Sequence, residues 1–232
     1  MSDPLGQAMA DYHYKKRRGK LWILNQYGPR EEMPVAAYFR NFKAMPALEH
    51  AALQLCSGRV LDIGAGAGSH ALWLQEQDVE VTALEQSALS CEVMQQRGVK
   101  HIVQENVFTF GEQKYDTLLL LMNGIGLAGT LEGLRIFLRH AATLLTNTGQ
   151  LIFDSSDVAY VYEHLLPNPQ RYYGEIAYRY QYKKEKTDWF NWLYIDRYTL
   201  LSLLQQEGWQ ADIITEDEQG QYLARASIVK LS

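Results

Sequence analysis

The sequence predicts an α/β chain built on a doubly wound, mostly parallel sheet, and three observations carry that prediction. Apolar runs of strand length alternate with helix-like segments from about residue 58 to residue 154. Three glycines at alternate positions, Gly64, Gly66 and Gly68, join the first such strand to the first such helix. The chain then closes with a helix and two strands joined by Asp217-Glu218-Gln219-Gly220, which predicts an antiparallel C-terminal hairpin.

Taken in order, Val60-Leu61-Asp62-Ile63 reads as a buried parallel strand, and Ser69 to Leu74 opens the helix beyond the glycine turn. Residues 79–84 form a second strand ending at Glu85, after which Ser87 caps a helix that runs to Arg97 and stops at Gly98. A third strand covers 101–104 and ends near Glu105-Asn106. The fourth, 117–122, is apolar on both faces, as a central parallel strand must be. Leu131, Leu134, Leu138, Ala142 and Leu145 mark one face of a helix ending at Asn147 and Gly149, followed by a fifth strand over 150–154. Residues 172–182 and 188–194 read as two strands around the polar turn 183–186. Asp196 then caps a helix through Gln206, stopped by Gly208, and the last strands cover 210–215 and 221–229. Ala47, Leu48, Ala51, Ala52 and Leu55 recur at helical spacing. Residues 1–57 are therefore an N-terminal extension, helical in its later part, ahead of a domain over 58–232.

A chain of 232 residues accommodates one sizeable domain with elaborations, and 47% hydrophobic with 21% charged residues is ordinary globular composition. The net charge of −5 argues against a general nucleic-acid binder, so nucleic acid is not an expected partner. Cys56 and Cys91 form no CxxC pair, which suggests neither a zinc site nor a disulfide framework, and no metal is expected. No apolar stretch approaches the roughly 18 residues that span a bilayer. The first residues lack the apolar core of a signal peptide, so a cytoplasmic protein with no membrane partner is expected.

Strand, glycine turn and helix form the geometry in which bare backbone N–H groups approach a ligand with no Cβ in the way. A dinucleotide loop requires Gly-x-Gly-x-x-Gly with a pyrophosphate at the helix N-terminus. Here the position three after Gly66 is Ser69, and a carboxylate, Asp62, precedes the loop. That carboxylate repels a pyrophosphate and attracts a cationic, amine-bearing ligand, which disfavours a nicotinamide-dependent enzyme. The run Asp62-Ile63-Gly64-Ala65-Gly66-Ala67-Gly68 resembles motif I of the class I S-adenosylmethionine-dependent methyltransferases, whose fold is Rossmann-like. The resemblance reaches from about Gly58 to Val229, with a β-hairpin inserted at 172–194 between the fifth strand and the last helix. Leu121-Met122-Asn123-Gly124-Ile125-Gly126, Asp154-Ser155-Ser156-Asp157, Tyr12-His13 and Pro34-Val35…Phe39-Arg40 are similar to segments of one bacterial group within that family, which implies no particular acceptor.

The resemblance implies S-adenosylmethionine as cofactor and in-line transfer of its sulfonium methyl. It implies that the methionine end lies over Gly64, Ala65, Gly66 and Gly68, with Asp62 drawing the ammonium directly or through water. Glu85 matches the ribose acceptor, because one carboxylate can take both hydroxyl hydrogens. Asn106 matches the position after the third strand where the family usually has aspartate against the adenine edge, and an amide both accepts and donates there. Met122, Asn123 and Gly124 match the cofactor–substrate junction at the end of the fourth strand. That stretch is not the Asp/Asn-Pro-Pro-Tyr/Phe signature of many amino-directed DNA and protein enzymes, which argues against those substrates. Asp154 and Asp157 close the fifth strand on the same rim, to orient a polar substrate or act as general base, with capping as the alternative use. Asn123, Asp154 and Asp157 are therefore the catalytic candidates.

Nine of the fifteen tyrosines lie between Tyr160 and Tyr198, with Trp189, Phe190 and Trp192, so the insertion is read as an aromatic cap over a small organic acceptor. A packed hairpin or a homodimer interface is the alternative. The run Tyr12-His13-Tyr14-Lys15-Lys16-Arg17-Arg18 reads as a solvated helix face. An extension folded back over the cofactor would bring Tyr14 or Arg40 to the methionine carboxylate. The expected function is methyl transfer to a small-molecule acceptor, with oxygen, nitrogen or carbon left open. An RNA or protein methyltransferase, and a cofactor-binding protein without turnover, are the alternatives.

Overall fold

The computed structural model describes residues 2–16, 19–111, 113–162 and 170–229, so Arg17 and Arg18 of the basic run lie outside the described residues. In chain order the elements are α1 (Pro4–His13), β1 (Leu21–Asn25), β2 (Glu31–Glu32), α2 (Ala47–Leu55), β3 (Val60–Ile63), α3 (Ser69–Glu76), β4 (Val81–Glu85), α4 (Ala88–Arg97), β5 (Ile102–Gln104) and β6 (Tyr115–Leu120). They continue with α5 (Leu131–Leu144), β7 (Leu145–Ser156), β8 (Glu175–Tyr182), β9 (Glu185–Lys186), β10 (Phe190–Leu193), α6 (Arg197–Gln206), β11 (Trp209–Glu216) and β12 (Gln221–Ile228). Among the described residues no helix is long and apolar enough to cross a membrane. The chain divides into two compact units, one of residues 1–46, 62–110 and 177–190, the other of 47–61, 111–176 and 191–232.

In the first unit β4 and β5 run parallel, with Ala83 opposite Ile102. Local chemistry delimits α4 as the sequence predicts: the Ser87 hydroxyl accepts from the Ser90 N–H, and Gly98 ends the helix at φ 95°. The extension contains more than the expected helix α2. It also holds α1 and β1, and β1 pairs antiparallel with β8, from Leu21 opposite Tyr182 to Asn25 opposite Tyr178. Extension and aromatic insertion thus share a small sheet, a pairing with no signal in either segment alone. Ala8, Leu21 and Tyr182 form its buried centre.

Beside that centre Asp11 is 3% exposed. Its carboxylate accepts from the Tyr182 hydroxyl at 3.1 Å and from the Gln7 amide at 3.0 Å, and it pairs with the Lys183 ammonium. Burial raises the Asp11 carboxyl, but Lys183 and the two hydrogen bonds outweigh it and hold the group below its ordinary value. A depressed folded-state value stabilises above the unfolded value and is lost as pH falls through the carboxylate range. Asp11→Asn is expected to lower stability by about 1–3 kcal/mol at neutral pH and to flatten the acid side of the unfolding profile. Thermal unfolding across pH tests this; an unchanged profile would remove the pair as a strut.

In the second unit the strand order is β11-β12-β7-β6. β6 and β7 are parallel with Leu118 opposite Leu151, whereas β7–β12 and β12–β11 are antiparallel, giving the predicted closing hairpin. Leu118, Leu119, Leu120, Ile152 and Phe153 are fully buried, as are Leu134, Phe137 and Leu138 of α5. Among the boundaries that differ from expectation, two have a local cause. Helix α5 stops at Leu144, because Leu145 is already extended (φ −87°, ψ 147°) and pairs with Tyr115, so Asn147 and Gly149 lie within β7. Strand β6 ends at Leu120 rather than Met122, because Met122 and Asn123 take positive φ.

Candidate functional site

In the first unit β3 delivers Asp62 to the glycine loop with 2% exposure. Its Oδ2 has no hydrogen-bond partner among the described residues, a costly state for a buried carboxylate. Burial raises the Asp62 carboxyl, against the opposing pull of His70 and the Ala71 N–H. Gly64, Gly66 and Gly68 have φ of 71°, 57° and 79°, the left-handed region that side chains avoid.

The expectation that the loop offers bare N–H groups is corrected. The Gly64 and Ala65 N–H groups donate to the Leu84 carbonyl at 2.8 and 3.2 Å, and that of Gly68 to the Ala65 carbonyl at 2.8 Å. The Gly66 N–H donates to Glu85 Oε2 at 3.0 Å. A turn with three left-handed residues needs this anchoring, so these donors are spent on its shape. What the loop presents is the bare Cα face: a Cβ built on Gly64 would meet nothing within 4 Å.

Glu85 ends β4, with Oε1 accepting the Ser87 N–H at 2.9 Å and Oε2 the Gly66 N–H. Burial raises its carboxyl despite those N–H groups. Each oxygen keeps a further lone pair. Asn106, exposed after β5, closes a turn: its Oδ1 accepts the Phe108 N–H at 3.0 Å. The extension reaches the loop, though the Tyr14 hydroxyl is committed to Glu92 at 2.7 Å. The ring there is Tyr38, whose Cδ1 is 3.3 Å from a Cβ built on Gly66, and the Ser69 hydroxyl donates to the Tyr38 carbonyl at 2.7 Å. Sequence reading missed Tyr38 because a single turn of 3-10 helix, Val35–Phe39, carries no periodic signal.

In the second unit Met122 and Asn123 sit at φ 62° and 56°. Such residues cost about 1–3 kcal/mol each and persist only where neighbours hold them. Here the Asn123 N–H donates to both Asp154 oxygens at 2.9 Å, and the Ser156 hydroxyl donates to Asn123 Oδ1 at 2.9 Å. The Gln221 amide donates to Asp154 Oδ2 at 2.8 Å. Asp154 is fully buried. Burial, with Glu49 adding to it, pushes its carboxyl up to about 6 against the Asn123 and Gln221 donors. The structure therefore joins Asn123 and Asp154, with Asp154 anchoring the turn, and adds Ser156 and Gln221, which the sequence reading lacked.

Asp157 is half-buried and accepts the Tyr173 hydroxyl at 2.7 Å and the Ala159 N–H at 2.9 Å. The Tyr162 hydroxyl donates to the Tyr173 carbonyl at 2.6 Å, and that of Tyr172 to Asp196 at 2.6 Å. The Tyr172 and Tyr173 rings lie 4.6 Å apart. Trp192 covers Gly126, where any Cβ would overlap the indole nitrogen at 2.0 Å.

An α/β fold with this acid–glycine loop and a carboxylate ending the next strand defines a Rossmann-like protein of the class I methyltransferase type. A family model described as a methyltransferase domain matches residues 61–153. An S-adenosylmethionine-dependent methyltransferase from Bacteroides fragilis, crystallised with S-adenosyl-L-homocysteine, is 41% identical, with a TM-score of 0.91 over 99% of this chain and 96% of that one. The chain belongs to the S-adenosylmethionine-dependent methyltransferases, and S-adenosylmethionine is its cofactor. CcbJ from Streptomyces caelestis (14% identity, TM-score 0.61, 84% and 98% coverage) shares the fold. So does the sugar N-methyltransferase KedS8 from Streptoalloteichus (15%, 0.57, 88% and 96%). The comparison with curated proteins found no significant match.

Proposed function

We propose that this enzyme methylates a small-molecule acceptor, and that the loop 64–68 with Asp62, Glu85 and Asn106 holds the cofactor. The observation that carries the cofactor assignment is the buried Asp62 oxygen without a partner among the described residues, which calls for a cation. S-adenosylmethionine, when bound, supplies an ammonium and an electrophilic methyl on a sulfonium. Asp62 takes the ammonium, and Gly64 leaves room for the methionine chain. Glu85, keeping lone pairs beyond those used by Gly66 and Ser87, takes the ribose hydroxyls. Asn106 offers its amide N–H and remaining lone pair to the adenine edge.

For the acceptor, support comes from the tyrosines around Asp157 and from the net charge of −5, which disfavours a polyanionic substrate. Asp157, held by Tyr173, accepts the proton of an oxygen or nitrogen nucleophile, while Asp154 keeps the Met122–Asn123 turn in shape. Residues 1–57 act as an extension of the 58–232 domain, and the 172–194 insertion as a cap that limits water near the sulfonium. The test supplies methyl-labelled S-adenosylmethionine together with a low-mass metabolite pool, total RNA and total protein. Label in a low-mass compound is expected. Label in RNA or protein alone would overturn the reading.

A further inference from the structure

We propose that Arg97 is a positioning residue for the cofactor, locking the glycine loop, the start of α3 and the N-terminal segment into one arrangement. The proposal rests on the reading that loop 64–68 holds the cofactor. Arg97 is the last residue of α4, where a cation is favoured by the helix dipole. Its guanidinium donates to the Ala67 carbonyl and to the Ser69 hydroxyl at 3.2 Å, and lies 4.9 Å from the Phe39 ring. Ser69 passes the link on by donating to the Tyr38 carbonyl. One side chain thus holds the backbone of the loop, the first residue of α3 and, through a ring face and a hydroxyl, Phe39 and Tyr38.

Two features separate this from ordinary packing. Met9, Ala10, Ala67 and Val93 already form an apolar cluster, with Val35, Tyr38 and Phe39 against it, so adhesion does not require a charge. Arg97 nevertheless sits there partly buried with no carboxylate paired to it among the described residues, and burial depresses its pKa. A desolvated guanidinium without a counter-ion costs free energy, which its directed hydrogen bonds offset together with the helix dipole and the Phe39 ring. Directed bonds fix geometry, and the geometry they fix is the Tyr38 ring against Gly66. Ser69, standing where a dinucleotide loop has its third glycine, supplies the bridging hydroxyl that glycine lacks.

The test compares Arg97→Met, Arg97→Lys, Ser69→Ala and Glu85→Ala by calorimetric titration with S-adenosylhomocysteine and by tryptic cleavage after Arg40 and Lys43. Arg97→Met is expected to weaken binding about tenfold or more and to speed cleavage that the ligand no longer suppresses. Ser69→Ala, which keeps the guanidinium–Ala67 bond, should fall between it and the parent. Arg97→Lys should recover only part of the loss, because an ammonium does not reproduce the planar fork. Parent-like affinity and cleavage in both Arg97→Met and Ser69→Ala, with Glu85→Ala impaired, would overturn the proposal and leave the loop assignment standing. A lower folded fraction of Arg97→Met with unchanged affinity in the remainder would also overturn it. Parent-like affinity in all four would remove the loop assignment itself.

Discussion

Glu85→Ala is expected to weaken S-adenosylhomocysteine binding by about 10- to 100-fold, the range for losing hydrogen bonds to a charged acceptor. Two losses combine. The proposed ribose contacts go, and the Gly66 and Ser87 N–H groups lose their acceptor. The second loss loosens the glycine loop at Gly66, whose φ of 57° is held partly by that bond. Glu85→Gln keeps an acceptor oxygen for one of the two N–H groups, so its affinity should lie between alanine and parent. Calorimetric titration at fixed pH reads all three proteins. Parent-like affinity in Glu85→Ala would exclude Glu85 from the site.

Asp154→Ala is expected to be the most destabilising change on the acceptor side, by about 2–4 kcal/mol, because it removes the acceptor of the partly buried Asn123 N–H and of the Gln221 amide and frees two left-handed residues. Its pH dependence has a definite sign. The folded-state carboxyl titrates near 6, above its ordinary value, so the folded protein binds this proton more tightly than the unfolded chain does. The contribution is complete below the unfolded value, falls as pH rises between about 4 and 6, and is constant beyond. It amounts to about 3 kcal/mol at most by the linkage relation. Asp154→Asn keeps an oxygen for the Asn123 N–H and cannot titrate. The stability of the parent relative to Asp154→Asn should therefore decline across that window. A flat difference in denaturant unfolding from pH 4 to pH 7 would show that Asp154 does not titrate there.

The parts of the fold legible beforehand are those decided within a few residues. Ser87 and Gly98 delimit α4, and Asp196 starts α6 by accepting the Tyr198 and Thr199 N–H groups. The acid–glycine loop is local as well, and its left-handed glycines lie where the alternation puts them. The end of α5 was misplaced because a partner strand pairs with Leu145 before the nearby Asn147 and Gly149 can act as stops. The β1–β8 pairing was invisible because its register exists only when two distant segments meet.

The same division applies to the chemistry. Residue order alone placed a carboxylate, three glycines and a second carboxylate at successive strand ends, since strand and turn propensities act over short range. It thereby pointed to a cationic, amine-bearing ligand, and its resemblance to motif I implied a sulfonium-bearing cofactor. Tertiary structure decided which polar groups are still available. It spent four loop N–H groups on holding the loop in shape, three of them on Leu84 and Glu85 of β4, left one Asp62 oxygen without a partner among the described residues, buried Asp154 beneath a strained turn and set Tyr38 on Gly66. Hydrogen-bond satisfaction is a property of the whole packed chain, because each donor's partner is chosen by which distant segments come to lie beside it.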